Sequence, residues 1–271
     1  MPSLSIITTS YNQLKSLRYL LASLKRQTCS EFELLIADDG SSDGTAEFCR
    51  SLPGSLRSPI RFLTQPDQGY RKSRILNAAL RETRGEYVIF LDSDVFLERH
   101  FIEDHLKLRR PESFVCGRRV ELGPLVSDRL REEEVEGGSF DFPNRRLLLS
   151  LLRRDTPTLK RAIRISSQTA RQWLGYEREL DILGSNFGAW KNDLIEINGF
   201  NEQLESYWGE DGDLFIRLRN SGKRPISALG LCVQYHVHHA RREPDQEMMK
   251  KYESLLKDDQ YKWAEKGLKS R

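Results

Sequence analysis

The sequence Tyr87-Val88-Ile89-Phe90-Leu91-Asp92-Ser93-Asp94 joins a short apolar run to a pair of carboxylates. A continuous run of this kind is typical of a strand that is buried on both faces, as in a parallel sheet. Residues two apart on an extended chain point to the same side, so Asp92 and Asp94 can face one ligand. The stretch therefore predicts a buried strand that presents two acids at its carboxyl end.

The segments before residue 87 alternate between strand-like and helix-like patterns. Strands are expected at 4–9, 32–37 and 60–63, and helices at 14–24, 44–51 and 70–83. This alternation is typical of an α/β fold, in which helices cover both faces of a mostly parallel sheet. Ligands of such sheets bind at the carboxyl ends of the strands, so polar residues at those ends are the site candidates.

After about residue 110 the alternation fades. Residues 141–171 are rich in arginine and leucine, and their pattern predicts a basic amphipathic helix. Glycines, aromatic residues and acids return in 181–240, and the polar, lysine-rich segment 244–271 predicts a C-terminal helix. The length of 271 residues favours one compact unit.

Bulk composition limits the classes of function. The formal charge of +3 is a small difference between 43 basic and 40 acidic residues, which argues against a nucleic-acid binder. The 4 cysteines form no CxxC pair, which argues against a zinc knuckle and against a disulfide framework. A reducing compartment fits this pattern. No apolar run approaches the roughly 18 residues of a membrane span, and residues 1–10 lack the features of a signal peptide. We therefore expect a cytoplasmic protein. Its basic segment 141–171 either contacts the inner face of a membrane peripherally or forms a solvated face on the core.

Two acidic turns follow predicted strands. Asp92 and Asp94 offer the hard oxygen ligands with which Mn²⁺ or Mg²⁺ bridges a diphosphate, although a solvated turn with capping acids would look similar. The turn 38–45 follows the strand 32–37, and its glycines permit a tight bend. A carboxylate there can accept hydrogen bonds from a base or ribose, while Asp43 can also cap the next helix.

The first 110 residues carry a family resemblance. Its segments are Ile6 to Asn12, the turn 38–45, Gly85-Glu86-Tyr87 and Asp92-Ser93-Asp94. Together they resemble glycosyltransferase family 2 with the GT-A fold. The resemblance implies that residues 1–110 form a nucleotide-sugar-binding half, followed by an acceptor-binding and catalytic half at 111–243 and the helical tail 244–271.

The same resemblance implies roles for individual residues of the donor half. Four residues would surround the uracil and ribose of the donor, namely Thr8, Ser10, Tyr11 and Asp39. Asp94 would bind the metal, and Asp92 would contact the ribose, the metal or a metal-bound water. Ser93, between them, would also contact the bound donor. Arg71 and Lys72 either approach the donor or lie on the surface.

A third acidic cluster lies in Tyr207-Trp208-Gly209-Glu210-Asp211-Gly212-Asp213. An inverting transferase needs a carboxylate to accept the acceptor's proton, and Asp211, with Glu210 beside it, is the candidate base. Acidic residues are also common at a helix N-terminus, where the helix dipole stabilises them, and this would explain the cluster without a catalytic role. The cluster and the segment 184–189 resemble β-1,4-galactosyltransferases and bacterial chondroitin-polymerase domains, which implies that Trp208 and Asn186 lie on the acceptor side. The β-1,4-galactosyltransferases have one more glycine after the tryptophan.

Three of the 5 histidines lie in Tyr235-His236-Val237-His238-His239. Clustered imidazoles can join carboxylates around a divalent metal. The galactosyltransferases that this region resembles have a metal-binding histidine seven residues before a Glu-Pro pair, which favours His236 here, with His238 and His239 as alternatives. His100 and His105 are expected on helix surfaces.

These patterns together predict an inverting, divalent-metal-dependent glycosyltransferase. It would move a sugar from a UDP-sugar to a hydroxyl of a saccharide or lipid-linked glycan acceptor. Neither GxGxxG nor GxxxxGK[ST] occurs between a strand and a helix, which argues against dinucleotide oxidoreductases and P-loop enzymes. A nucleotide-sugar nucleotidyltransferase would begin with a glycine-rich basic loop, whereas this chain has Thr8-Thr9-Ser10-Tyr11-Asn12. A degenerate sugar- or membrane-binding module is the alternative from another class.

Overall fold

The computed structural model describes residues 3–141, 156–205, 207, 209–240, 246, 249–250 and 258–269. The strands are β1 Leu4–Ser10, β2 Glu33–Asp38, β3 Ile60–Thr64, β4 Tyr87–Asp92, β5 Val95–Leu97, β6 Ser113–Cys116, β7 Val120–Glu121, β8 Phe187–Trp190, β9 Arg224–Ser227 and β10 Gln234–His236. The α-helices are α1 Leu14–Leu24, α2 Thr45–Arg50, α3 Lys72–Glu82, α4 Phe101–Leu108, α5 Pro124–Asp128, α6 Glu132–Glu136, α7 Gln168–Trp173, α8 Lys191–Glu196 and α9 Glu210–Asn220. A 3₁₀ turn spans Leu159–Ala162.

Seven strands form the central sheet, in the order β3-β2-β1-β4-β8-β6-β9. Strands β1 to β4 pair in parallel, as do β6 and β9, and β8 runs antiparallel between β4 and β6. The predicted α/β fold with a mostly parallel sheet is therefore confirmed. The predicted boundary near residue 110 separates parts of one sheet, since β6, β8 and β9 come from the second half.

Both faces of the sheet are covered by helices, which explains the apolar run at 87–91. Ile89 faces the core that contains Leu17 and Leu20 of α1. Phe90 points to the other face, where Ile75 of α3 and Leu214 of α9 pack. Because successive side chains of a strand alternate between faces, a strand covered on both sides has no solvent-facing position.

A second sheet of three strands, in the order β5-β10-β7, lies beyond the carboxyl end of β4. Strand β10 is antiparallel to β5 and parallel to β7. Tyr235 stacks on Phe96 with ring centroids 5.0 Å apart, so the small sheet has its own aromatic core. This sheet brings residues near 94 and 236 together.

The basic segment differs from its prediction. Residues 142–155 lie outside the described part, but 156–171 contains the 3₁₀ turn and the start of α7 rather than one continuous helix. Arg164 binds the buried Asp104 at 2.6 and 2.7 Å, and Arg171 donates to the carbonyls of Ser227 and Leu229. The prediction of a single amphipathic helix is therefore wrong for 156–167, because inward contacts of the arginines outweigh the periodic pattern.

The C-terminal prediction of a helix over 244–271 is wrong for residues 258–269, which are not helical, whereas the described residues 246, 249 and 250 are helical. Asn198 donates to the carbonyl of Ala264 at 2.7 Å and accepts from the amide of Lys269 at 2.8 Å. Ala264 is fully buried. Side-chain hydrogen bonds to the backbone hold this stretch against the core, in place of helical ones.

Among the described residues, no helix has both the length and the apolar character that crossing a bilayer requires.

Candidate active site

Asp94, His236 and His239 form a carboxylate–imidazole cluster just beyond β4. Nε2 of His236 lies 3.2 Å from Oδ2 of Asp94, and Nε2 of His239 lies 2.9 Å from the same oxygen. The two Nε2 atoms are 3.1 Å apart. One ligand atom from each of the three residues can therefore reach a common point, since these atoms all lie within 4.8 Å of one another.

The small sheet creates this cluster. His236 in β10 pairs with Val95 in β5, and the amide of Val237 donates to the carbonyl of Asp94 at 2.9 Å. Asp94 and His236 are 142 positions apart in the sequence. Their contact thus depends on strand pairing between distant segments.

The cluster has the properties of a cation site. Burial favours the neutral acid, yet hydrogen bonds from His236 and His239 hold the pKa of Asp94 below its ordinary value. The pKa of His236 rises to about 9, because its contacts with Asp94 and Glu121 outweigh its burial. Oδ1 of Asp94 is buried and has no hydrogen-bond partner among the described residues. A carboxylate oxygen that faces two imidazole nitrogens is a suitable ligand set for a divalent transition metal.

The other histidines lie elsewhere. The side chain of His238 is exposed, and its amide donates to Oγ of Ser127 at 2.9 Å. His100 precedes α4 and lies 2.8 Å from Glu98. His105 is fully buried with its Nε2 3.1 Å from Oδ1 of Asn186, so its predicted place on a helix surface is wrong. Burial lowers the pKa of His105 to about 4, which keeps it neutral.

The acidic turn after β2 connects the first strands to α3. Asp38 accepts hydrogen bonds within the turn, including the amide of Ser41 at 3.0 Å. Asp39 accepts the amide of Arg71 at 2.9 Å and a hydrogen bond from Gln65. Asp43 accepts the amide of Leu14 at 2.9 Å and the hydroxyl of Thr45, so it anchors the starts of both α1 and α2.

Gly40 permits the close approach that this turn requires. Its φ is +87°, and a Cβ there would lie 2.5 Å from the amide nitrogen of Asp67. Tyr11 reaches the same loop, donating to Asp67 at 3.1 Å. The carboxyl ends of β1, β2 and β3 are thereby held together.

Thr8 and Ser10 lie near the carboxyl end of β1. Oγ1 of Thr8 and Oγ of Ser10 are buried and have no hydrogen-bond partner among the described residues. Ser93, in contrast, donates to Gln13 at 2.9 Å and is turned toward the start of α1. The guanidinium of Arg71 donates to Gln68 at 2.7 Å, within its own loop.

Lys72 links strand β4 to helix α9. Its Nζ lies 3.0 Å from Asp92 and 3.5 Å from Glu210. Although burial disfavours its charge, the negative charge of Asp92 holds the pKa of Lys72 well above its ordinary value. Asp92 also accepts the hydroxyl of Thr9 at 3.0 Å, so its carboxylate serves this bridge and is absent from the Asp94 cluster. The hydroxyl of Tyr70 donates to Glu210 at 2.5 Å and completes the bridge.

Asp211 stands beside this bridge, at the N-terminal end of α9. Its Oδ2 accepts the amide of Gly184 at 2.7 Å. A small cavity is lined by Asp211 together with Thr9, Lys72 and Asp92. Burial raises the pKa of Asp211 to about 7, with Lys72 opposing the shift and Glu210 adding to it.

A buried ion pair holds the first turns of α9. Arg217 donates to Asp213 at 2.9 Å and to the carbonyls of Ile197 and Gly199 at 2.8 and 2.7 Å. Tyr261 donates to the other oxygen of Asp213 at 2.6 Å. The side chains of Asp213 and Arg217, four residues apart, are both fully buried. Their contacts with the core therefore set the direction of the helix.

The resemblance placed Trp208 and Asn186 on the acceptor side, and the structure describes only the second of them. Trp208 lies outside the described residues. Asn186 is fully buried, and its amide donates to the carbonyls of Arg118 and Cys232, each at 3.0 Å. The geometry gives Asn186 an internal role and does not support a contact with an acceptor.

Three contributors to the site were missed by the sequence patterns. Tyr70 touches Glu210, Glu121 touches His236 at 2.8 Å, and Gly184 binds Asp211. Tyr70 has a weak signal, because it neighbours Arg71 and Lys72. Glu121 lies in a two-residue strand and has none.

Two family models match the chain. The one described as "Glycosyl transferase family 2" matches residues 5–167, which is more than half of the chain. The one described as "N-terminal domain of galactosyltransferase" matches residues 165–240, a range that contains Asp211 and the clustered histidines.

Curated relatives match at moderate identity. The chain is 27% identical to the uncharacterized glycosyltransferase YfnE of Bacillus subtilis, over 80% of the chain and 60% of that protein. It is 25% identical to the chondroitin synthase of Escherichia coli, over 86% of the chain and 34% of that enzyme. With the validoxylamine A glucosyltransferase of Streptomyces hygroscopicus the identity is 28%, over 82% of the chain and 52% of the enzyme. The chain thus spans less than two thirds of each of these relatives.

Solved structures share the architecture. The mannosyltransferase PcManGT from Pyrobaculum calidifontis, in complex with GDP-Man and Mn²⁺, gives a TM-score of 0.59 at 17% identity, covering 89% of this chain and 58% of that one. S. aureus TarS 1–349 in complex with UDP-GlcNAc gives 0.57 at 17% identity, covering 93% and 64%. At this identity the likeness shows a common fold.

Proposed function

This chain belongs to glycosyltransferase family 2, has the GT-A fold and is a glycosyltransferase, and from that premise we propose a specific reaction for it. It transfers a sugar with inversion from a UDP-sugar to a hydroxyl of a saccharide or lipid-linked glycan acceptor, and it requires a divalent cation. One observation carries the proposal. The Asp94 cluster lies two residues from Asp92, which Lys72 joins to the helix that carries Asp211.

Asp94, His236 and His239 would hold the cation. The unpartnered buried Oδ1 of Asp94 and the two Nε2 atoms that face its Oδ2 support this assignment. The imidazoles favour Mn²⁺ over Mg²⁺, which prefers oxygen ligands and retains its waters. When bound, the cation neutralises negative charge on the departing diphosphate. The complex of PcManGT with Mn²⁺ gives the proposal a precedent within the fold.

The donor nucleoside would bind at the carboxyl ends of β1 and β2. Thr8 and Ser10 have hydroxyls available for it, and Asp39 lies in the adjoining turn. Tyr11 and Arg71 border the same crevice through the loop 65–71. The choice of uridine rests on likeness, since TarS is a neighbour solved with UDP-GlcNAc.

Asp211 would accept the proton of the attacking hydroxyl. A base works best when its pKa lies near the working pH, and burial raises the pKa of Asp211 to about 7. The amide of Gly184 holds one of its oxygens in place. Glu210, which the sequence pattern placed beside the candidate base, is engaged by Tyr70 and Lys72 and would orient the helix start.

The decisive experiment is a screen of nucleotide sugars for hydrolysis by the purified protein with Mn²⁺ and with a chelator. We expect turnover of a UDP-sugar that the chelator abolishes. Asp94→Ala should weaken the binding of metal and donor together, while Glu136→Gln, on the exposed surface of α6, should change neither. Metal-independent turnover would refute the cation requirement, and turnover of another nucleotide sugar alone would refute the uridine assignment.

A binding titration and a synthesis assay on the same purified protein test the two alternatives. A binding module would bind a nucleotide sugar without hydrolysing it, and a nucleotidyltransferase would form nucleotide sugar from a nucleoside triphosphate and a sugar phosphate. The family match favours a glycosyltransferase over both.

Peripheral membrane contact through 141–171 stays a proposal. Arg164 and Arg171 are engaged with the protein interior, so any such contact depends on other basic residues of the segment. Co-sedimentation with anionic liposomes that is unchanged by Arg153→Gln with Arg154→Gln would contradict it.

A further inference from the structure

We infer that Glu121 positions His236 for binding the cation, and that Arg119 holds Glu121 in place. The inference rests on the metal site proposed above. It concerns a residue outside the ligand set, on a different strand, whose carboxylate acts through the imidazole ring.

The two nitrogens of His236 face opposite partners. Nδ1 lies 2.8 Å from Oε2 of Glu121, while Nε2 lies 3.2 Å from Oδ2 of Asp94. A carboxylate on one ring nitrogen keeps a proton there and leaves the lone pair of the other nitrogen free for a metal. The contact with Glu121 therefore selects both the tautomer and the ring orientation that a ligand at Nε2 requires.

Strand pairing gives Glu121 this position. His236 of β10 and Glu121 of β7 are partners in the parallel register, and the amide of Leu122 donates to the carbonyl of His236 at 3.1 Å. The amide of Glu121 donates to Oγ1 of Thr158 at 2.7 Å. The backbone around Glu121 is thus fixed from both sides.

The second carboxylate oxygen is also occupied. Nε of Arg119 donates to Oε1 of Glu121 at 2.7 Å, and the carbonyl of Arg119 accepts from Arg161 at 3.1 Å. With one oxygen on arginine and the other on imidazole, the carboxylate has little freedom to rotate. An oriented carboxylate of this kind restricts the ring more than a solvated one.

His239 provides an internal comparison. Its Nδ1 lies 2.8 Å from the carbonyl of Ala240, and its side chain is 40% exposed. Both imidazoles therefore have Nδ1 engaged and Nε2 toward Asp94. The partner of Nδ1 is a side chain in His236 and a backbone carbonyl in His239. Substitution at position 121 can thus perturb one ligand and leave the other unchanged.

The test measures Mn²⁺ affinity by calorimetry for the wild type, Glu121→Ala and Glu121→Gln. Removing an oriented partner of a metal-bound histidine typically costs about 10–100-fold in affinity, and we expect this for Glu121→Ala. Glutamine can still accept from Nδ1–H but lacks the charge, so Glu121→Gln should recover part of the loss. Glu136→Gln is the matched control, because it removes an equal charge from an exposed helix.

A second readout separates positioning from a general structural role. ¹⁵N spectra of the histidine rings report the tautomer, and the spectrum of His236→Gln identifies the His236 signals among those of the 5 histidines. In metal-free protein, at a pH where the His236 ring is neutral, we expect the Nδ1–H form in the wild type and in Glu121→Gln, and its loss in Glu121→Ala. If Glu121→Ala fails to fold, Arg119→Met, which releases Glu121 without removing it, should still weaken Mn²⁺ binding by a smaller factor.

The outcomes distinguish the two proposals. If the wild type binds Mn²⁺ and Glu121→Ala binds it within twofold with an unchanged tautomer, the role of Glu121 is refuted and the metal site stands. If the wild type binds neither Mn²⁺ nor Mg²⁺, with or without UDP, both the metal site and the inference fall.

Discussion

Asp94 and Asp211 are both acids of the candidate active site, yet their surroundings push their protonation in opposite directions. Hydrogen bonds from two imidazoles hold the pKa of Asp94 below its ordinary value despite burial. Burial without an equal partner raises the pKa of Asp211 to about 7. The comparison teaches that the surroundings assign the roles, since a permanently ionised acid suits a cation and an acid that titrates near neutrality suits proton transfer.

The largest effect should come from removing the proton acceptor. Asp211→Asn keeps the size of the side chain but cannot take a proton, so transfer should fall by about 10²–10⁴-fold. Donor and Mn²⁺ affinities should stay at their wild-type values. Single-turnover transfer and calorimetric titration measure the two quantities, and unchanged turnover would remove the role of Asp211.

A smaller loss of transfer rate should follow from Gly184→Ala. A Cβ at this position would lie 2.4 Å from Oδ1 of Asp211, so the carboxylate must move. We expect roughly tenfold slower transfer, together with a destabilisation of about 1–3 kcal/mol from overpacking. If Gly184 acts through Asp211, the double variant with Asp211→Asn should be no slower than Asp211→Asn alone. Additive losses would contradict that link.

The charges around Asp211 should set the pH dependence of transfer. The base is active when it is deprotonated, so kcat/KM should rise with pH through about 7. Glu210→Gln removes a negative neighbour and should move this rise to lower pH, while Lys72→Met removes a positive one and should move it to higher pH. Profiles that coincide for all three proteins would show that another group controls the acidic limb.

The smallest effect concerns stability. Because the folded pKa of Asp211 lies above its unfolded value, the native state binds the extra proton, and stability falls as pH rises from about 4 to about 7. Asp211→Asn removes this cost. In metal-free buffer at pH 8 its Tm should exceed that of the wild type by several degrees. A pKa that rises from about 4 to about 7 corresponds to at most about 4 kcal/mol, and each 1 kcal/mol changes the Tm of a protein of this size by about 2–4 °C. The difference should shrink toward pH 4, and an equal gain at both pH values would contradict the linkage.

Local patterns predicted the first half of the molecule well. The strands β1 to β4 and the helices α1 to α3 lie within a few residues of their predicted bounds. The second half was predicted less well. Arg164 and Arg171, which the sequence places on the polar face of an amphipathic helix, point into the protein. His105, predicted on a helix surface, is buried against Asn186. Specific long-range contacts override periodicity in these places.

The sequence by itself determined the strand–helix alternation, the buried central strand and the acids that follow it, because these depend on the spacing of apolar residues along the chain. Only the tertiary structure decided that His239 accompanies His236, that Asp92 serves Lys72 rather than the Asp94 cluster, and that Glu121 lies behind the ring. Each of these contacts joins segments far apart in the chain, and the register of β10 against β5 and β7 that brings the histidines to Asp94 cannot be derived from local spacing.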